Sequence, residues 1–372
     1  MLPTARINNL IESHYVVMSL AVLLVATAGV FLQIGGTSWD VTSHLLQRPE
    51  TFFTPPHAVL YSGVGLLVIA AAFGWNLLRK NHDVRAQSYA TAFKLLVIGS
   101  TLSLVAGPAD YLWHQTFGVD GLLSPTHLTL ATGMLINSIA VVLGLSRIIV
   151  HLSTTGLQRL VRAALIPAFA ALWLTMTWYV YMFALPLSHG VHFNFNLNPI
   201  AESFIAIIAL PLVGSMVFIL ASRTIGRFGG ASAVAAVLIG MIVITNIIPS
   251  NYLMPFLPWY LMILIPALLA DLVLNKYRES EVIAGAMIGS TFYVLGYPMV
   301  SMTFVNLLLG PGAPFLAPLF ILNITNFLST LPTVLAITMV PGALMGLLGA
   351  TISSQKIAIP EEERRALKEI NY

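Results

Sequence analysis

The sequence predicts an all-α, polytopic membrane protein: a helical bundle of about ten transmembrane helices with a duplicated helical-hairpin unit at its N-terminal end. Three observations carry this. Of 372 residues, 58% are hydrophobic and 8% charged, and mean hydropathy is +0.88, more apolar surface than a soluble domain can bury. The apolar residues fall in runs of about 20, the length a helix needs to cross a hydrocarbon core roughly 30 Å thick. Lys and Arg collect in alternate loops, as they do in a chain that threads a bilayer repeatedly.

In chain order the runs are 15–35, 57–78, 90–113, 125–146, 163–186, 200–221, 230–249, 253–275, 282–308 and 331–352. The first has no small-residue cleavage site before Gly35 and passes directly into polar residues, so it reads as a retained span and not as a signal peptide. The second and fourth open on Thr54-Pro55-Pro56-His57 and Ser124-Pro125-Thr126-His127, Ser or Thr at the N-cap followed by Pro at the first helical position. Between the last two runs, 313–328 is too short for a separate span and is expected to be a short or re-entrant segment inside the bundle.

Basic residues set the expected orientation. Arg79, Lys80 and Arg85, then Arg147, Arg159 and Arg162, then Arg223 and Arg227, then Lys276 and Arg278 fall on one side, joined by Lys356, Arg364, Arg365 and Lys368 of the tail. Arg48 stands on the other. Both termini are therefore expected in the cytoplasm. His44, His57, His114, His127, His189 and His192 then lie toward the extracytoplasmic face, and His14, His82 and His151 among cytoplasmic basic residues as solvated or interfacial side chains. The basic balance follows from these loops and implies no nucleic-acid partner. There is no cysteine, which excludes disulfides and thiolate metal sites.

The chain divides, on this reading, into a duplicated four-helix unit at 15–150, a six-span bundle at 151–353 with an outer lid loop at 187–199, and a cytoplasmic tail at 354–372. The duplication rests on Asp40, His44 and His57, which recur as Asp110, His114 and His127, each displaced by 70 residues. Leu60 and Gly63 repeat as Leu130 and Gly133, and Glu50 is matched by Asp120.

An Asp and a His four residues apart share one helix face. The second His of each copy sits in the first turn of the next helix, facing the Asp/His pair that ends the helix before. Charged and imidazole groups at membrane depth cost several kcal/mol unless they are paired, and six of them at repeated spacing point to a common partner. Two imidazoles and a carboxylate suit copper, zinc or non-haem iron. The competing reading is a hydrogen-bond network between the hairpins. His189, His192 and Glu202 form a weaker set, as further ligands or as partners behind the ligands. Trp39, Trp113, Trp178, Tyr179 and Tyr181 fit an aromatic belt.

With Phe53-Thr54-Pro55 before His57, and Asp110-Tyr111-Leu112-Trp113-His114-Gln115-Thr116 before His127, residues 15–145 resemble the C subunit of the particulate methane and ammonia monooxygenases. The resemblance implies two copper sites within the membrane, Asp40, His44 and His57 matching the first and Asp110, His114 and His127 the second. The family's second motif generally has Asn where this chain has Asp110, and its His spacing is one residue longer. The resemblance also implies partner membrane subunits and an electron donor. Three functions compete: a component of an oxygen-activating oxidation of a small apolar or ammonia-like substrate, a metal-ion transporter, and a non-catalytic copper-binding partner. A transporter should place polar or ionisable groups along its route at mid-membrane, and the sequence offers none that ionise there.

Overall fold

The computed structural model describes residues 14–45, 48, 51–118, 123–152, 154–184, 199–249, 254, 257–276, 281–292 and 324–356. Among these there is no strand, and the long helices are α1 His14–Leu45, α2 Pro55–Lys80, α3 Ala90–Phe117, α4 Pro125–Ile148, α5 Thr155–Ala184, α6 Pro199–Ile225, α7 Gly230–Ile242, α8 Leu264–Lys276, α9 Glu281–Thr291 and α10 Ile324–Lys356. Eight helical stretches among the described residues are long and apolar enough to cross a membrane. The protein is a multi-pass helical membrane bundle.

Several helices outrun the apolar stretches that announce them. α1 continues ten residues past Gly35 to Leu45, and α5 begins at Thr155 instead of 163, because helical hydrogen bonding persists into the interface where hydropathy has already fallen. The stretch 253–275 is different. It is broken into a short helix Leu257–Leu261 and α8, and Ile265 donates to the Met262 carbonyl three residues back. Pro266 follows, with no N–H for Met262 and a ring that crowds the preceding turn. The stretch 282–308 is helical as α9 at its start, and 293–323, with most of the segment 313–328, lies outside the described residues.

The chain falls into two compact units, one of residues 1–107, 132–172 and 355–372, the other of 108–131 and 173–354. In the first unit the duplication is built into the helix contacts. Gly63 of α2 has no room for a side chain, with the Gly29 carbonyl and the Gln33 backbone of α1 against it. Seventy residues on, Gly133 of α4 lies against the Gly99 carbonyl and Ser103 of α3. Gly29 in turn packs on Leu67, and Gly99 on Asn137, again a matched pair. Small residues let backbones approach where lipid offers no hydrophobic drive to associate. The Gln33 amide donates to the Ser103 hydroxyl at 2.9 Å, and that bond joins the same position of the two copies.

The second unit uses the same device. Gly285 and Gly289 of α9 meet Gly342 and Gly346 of α10 backbone to backbone. Phe218 of α6 lies between Trp173 and Phe292, with centroids 6.3 and 6.0 Å away. α7 starts at Gly229 with φ +89° and no capping side chain. Asp271 of α8 supplies the cap instead, accepting from Ala231 N at 3.0 Å and from Ser232 N and Oγ at 2.8 and 2.7 Å. α7 then passes into a π-helical turn, Val243–Ile247.

Of the histidines expected among the cytoplasmic loops, His14 and His82 are exposed. His151 is not solvated. It is buried at the end of a 3-10 turn with its ring edge-on to Tyr89, centroids 5.3 Å apart, because the connection after α4 folds back over the loop that precedes α3.

Candidate metal centre

The second triplet is assembled by the end of α3 and the start of α4. Asp110 and His114 are one turn apart on α3, and their side chains meet, His114 Nε2 lying 3.2 Å from Asp110 Oδ2. α4 begins at Pro125, as its sequence predicts, so that His127 falls in its first turn. His127 Nε2 lies 3.3 Å from the other carboxylate oxygen, Asp110 Oδ1. One donor atom from each of the three residues lies within 4.8 Å of the others, and the side chains are only 15–20% exposed.

The far side of His114 is held by the helix terminus. Gly118 takes φ +79°, the left-handed turn that glycine adopts without cost at a helix end. Its N–H donates to the His114 carbonyl at 2.9 Å, and its own carbonyl comes back to His114 Nδ1 at 3.2 Å. A carbonyl only accepts, so Nδ1 carries the hydrogen. Nε2 is thereby left as the nitrogen that faces Asp110. This is the arrangement by which a metal-binding imidazole is oriented, its second nitrogen donating to a backbone carbonyl.

Asp110 is oriented too. The Thr126 hydroxyl donates to Asp110 Oδ1 at 2.6 Å. Ser124 accepts from the His127 backbone N–H at 3.2 Å, capping α4, and its hydroxyl lies 3.1 Å from that of Thr126. Because Thr126 spends its proton on the carboxylate, Ser124 donates to Thr126. Carboxylate, hydroxyls and helix cap form one directed chain.

The first triplet repeats part of this. His57 Nε2 lies 3.1 Å from Asp40 Oδ1, and His57 Nδ1 donates to the Thr51 carbonyl at 2.9 Å, again turning Nε2 toward the acid. Tyr61, one turn along α2, lies over His57 with centroids 5.6 Å apart and stacks on Phe52 at 4.9 Å. His44 is one turn beyond Asp40 on α1, and its side chain lies outside the described residues, as do Glu50, Asp120, His189, His192 and the side chain of Glu202.

In both copies an imidazole Nε2 lies about 3 Å from a carboxylate oxygen. Two acceptors attract only when a cation, a proton or a metal ion, sits between them. Two imidazoles and a carboxylate with fixed far-side hydrogen bonds match the chemistry of a transition-metal ligand set.

Sequence reasoning reached the three donor residues through their spacing, and it passed over Thr126. The signal for it was a hydroxyl standing where the first copy has Pro56. It also passed over Gly118, the glycine at the end of α3. Comparison of the chain with protein-family models and curated proteins, and of its fold with solved structures, finds no match.

Proposed function

We propose that this protein is an integral membrane copper-binding protein, related to the C subunit of the particulate methane and ammonia monooxygenases and serving as a component of an oxygen-activating membrane oxidase. The observation that carries the reading is the convergence of Asp110, His114 and His127, with donor atoms within 4.8 Å of one another and the His114 ring turned toward the acid by the Gly118 carbonyl. Asp40, His44 and His57 form the matching site of the first copy.

The donor set fits the ion. Imidazole suits copper, zinc and iron, and a carboxylate adds the charge that a divalent ion requires. Among these copper is favoured by the resemblance of both triplets to that family. A bound copper ion would supply one-electron and oxygen chemistry, and the protein's part is to hold three donors and leave further coordination positions open. By the distribution of basic loops the sites belong near the extracytoplasmic face, with both termini in the cytoplasm. The substrate class is small and apolar or ammonia-like, able to arrive through the bilayer, and reducing equivalents come from partner subunits.

Metal analysis of protein purified in detergent tests the proposal. His114→Ala should lose about one copper per chain and His57→Ala about one other, with nitrogen hyperfine structure in the copper electron-paramagnetic-resonance spectrum of the parent. Zinc or iron in place of copper would overturn the choice of ion and leave the site. Metal content unchanged in both variants would leave a hydrogen-bonded network as the function of these residues.

A further inference from the structure

The connection from α6 to α7 borders a cavity of about 370 Å³, whose lining includes Ser222, Arg223, Arg227, Phe228, Asp271 and Asn275. All of these residues belong to the second unit. The helix ends set its depth in the membrane. The spanning stretch of α6 stops at Ile225 and that of α7 starts at Gly230, so residues 226–229 turn at the level of the lipid headgroups. α8, which supplies Asp271 and Asn275, ends close by at Lys276. Phe228, 64% exposed next to Arg227, offers an apolar surface where acyl chains begin.

The lining carries charge of both signs. Arg223 and Arg227 bring two guanidinium groups, and Arg223 is tied to the first residue of α9 by an ion pair with Glu281. Against them stand Asp271 and two helix ends. Asp271 accepts from Ala231 N, Ser232 N and Ser232 Oγ, three neutral donors. Ser222 and Asn275 lie in the last turns of α6 and α8, and the final carbonyls of a helix attract cations. An anion alone would meet Asp271 and these carbonyls, and a cation alone would meet the arginines. A dipolar ion suits both halves.

We propose that this cavity is a binding site for a phospholipid headgroup that joins a phosphate diester to a primary ammonium, as in phosphatidylethanolamine. Arg223 and Arg227 take the phosphate, whose oxygens match the guanidinium fork. The ammonium, with three N–H donors, turns to Asp271 and the carbonyl ends of α6 and α8. The volume suits a headgroup, being near the lower end of the roughly 300–1,000 Å³ of small-molecule sites, and the acyl chains stay in the bilayer. Soluble phosphoethanolamine carries the same charged groups, and the depth of the cavity favours the lipid. The site is independent of the metal centres.

The experiment embeds the full-length protein in nanodiscs of phosphatidylcholine, phosphatidylethanolamine and phosphatidylglycerol in equal parts and counts the lipids it retains by native mass spectrometry. Phosphatidylethanolamine should be retained over phosphatidylcholine, whose trimethylammonium has no N–H, and over phosphatidylglycerol, which has no cation. Arg227→Ala should weaken that retention about tenfold, the loss of one charge-assisted hydrogen bond, and Arg227→Lys should recover part of it. Arg227 is the residue to change, since Arg223→Ala also breaks the pair with Glu281.

Preference for phosphatidylglycerol would overturn the dipolar reading in favour of an anion site. Equal retention of the three lipids, or an Arg227→Ala protein that keeps the parental preference, would remove the site. Displacement of the lipid by millimolar soluble phosphoethanolamine would overturn the assignment to lipid. The selectivity of the parent needs no variant, and a melting temperature for each variant separates lost binding from lost fold.

Discussion

At the scale of single residues the chain argues through hydrogen bonds that fix direction. His57 and His114 each give Nδ1–H to a carbonyl, of Thr51 and of Gly118, and so present Nε2 to a carboxylate. A metal ion that binds Nε2 and the carboxylate displaces any proton these groups hold. Copper uptake should therefore release protons, and apparent affinity should fall as pH falls. Calorimetry in two buffers of different ionisation enthalpy measures the number released, and uptake without release would show that these nitrogens are not ligands. Gly118→Ala tests the anchor: a side chain at φ +79° costs about 1 kcal/mol or more, and copper at the second triplet should weaken while the first is untouched. The donor residues were legible because the spacing occurs twice. Thr126 was not, since a hydroxyl in the first turn of a helix is ordinary until the acid it touches is known.

At the scale of elements, hydropathy locates helices well and proline decides where they break. The span drawn over 253–275 contains Pro258 and Pro266, and the chain turns between them. Glycine decides how closely helices meet. Gly133 lies against the Gly99 carbonyl, whereas Gly65, on the exposed side of α2, has nothing within 4 Å of a side chain added there. Gly133→Val should cost about 1–3 kcal/mol in denaturation measured in detergent, and Gly65→Val should be near neutral. Equal losses from the two would remove the close approach as the reason for Gly133. Asp271 gives a second test. Asp271→Ala leaves Ala231 N and Ser232 N at the start of α7 without their acceptor, a loss of about 1–3 kcal/mol, and Asp271→Asn should recover part of it. That a buried acid on α8 caps α7 was not legible, because the two lie forty residues apart and Gly229 offers no side chain to suggest a cap.

At the scale of the molecule, the class of fold is written in composition, and the basic loops carry an expectation of orientation. A chain with no cysteine makes the orientation simple to test. Single cysteines placed at Arg48 and at Gly156 should react with a membrane-impermeant maleimide from opposite sides, Arg48→Cys in intact cells and Gly156→Cys only after permeabilisation. The reverse pattern would put both proposed metal sites on the cytoplasmic side. The duplication was legible at its repeated Asp and His residues and invisible where Gln33 meets Ser103, which differ in type and share only their place in the repeat. Their bond means that a position touches its own counterpart. Trading the pair, Gln33→Ser with Ser103→Gln, should then be tolerated better than either change alone in denaturation measured in detergent, for only the double change keeps one amide and one hydroxyl in reach of each other across the repeat.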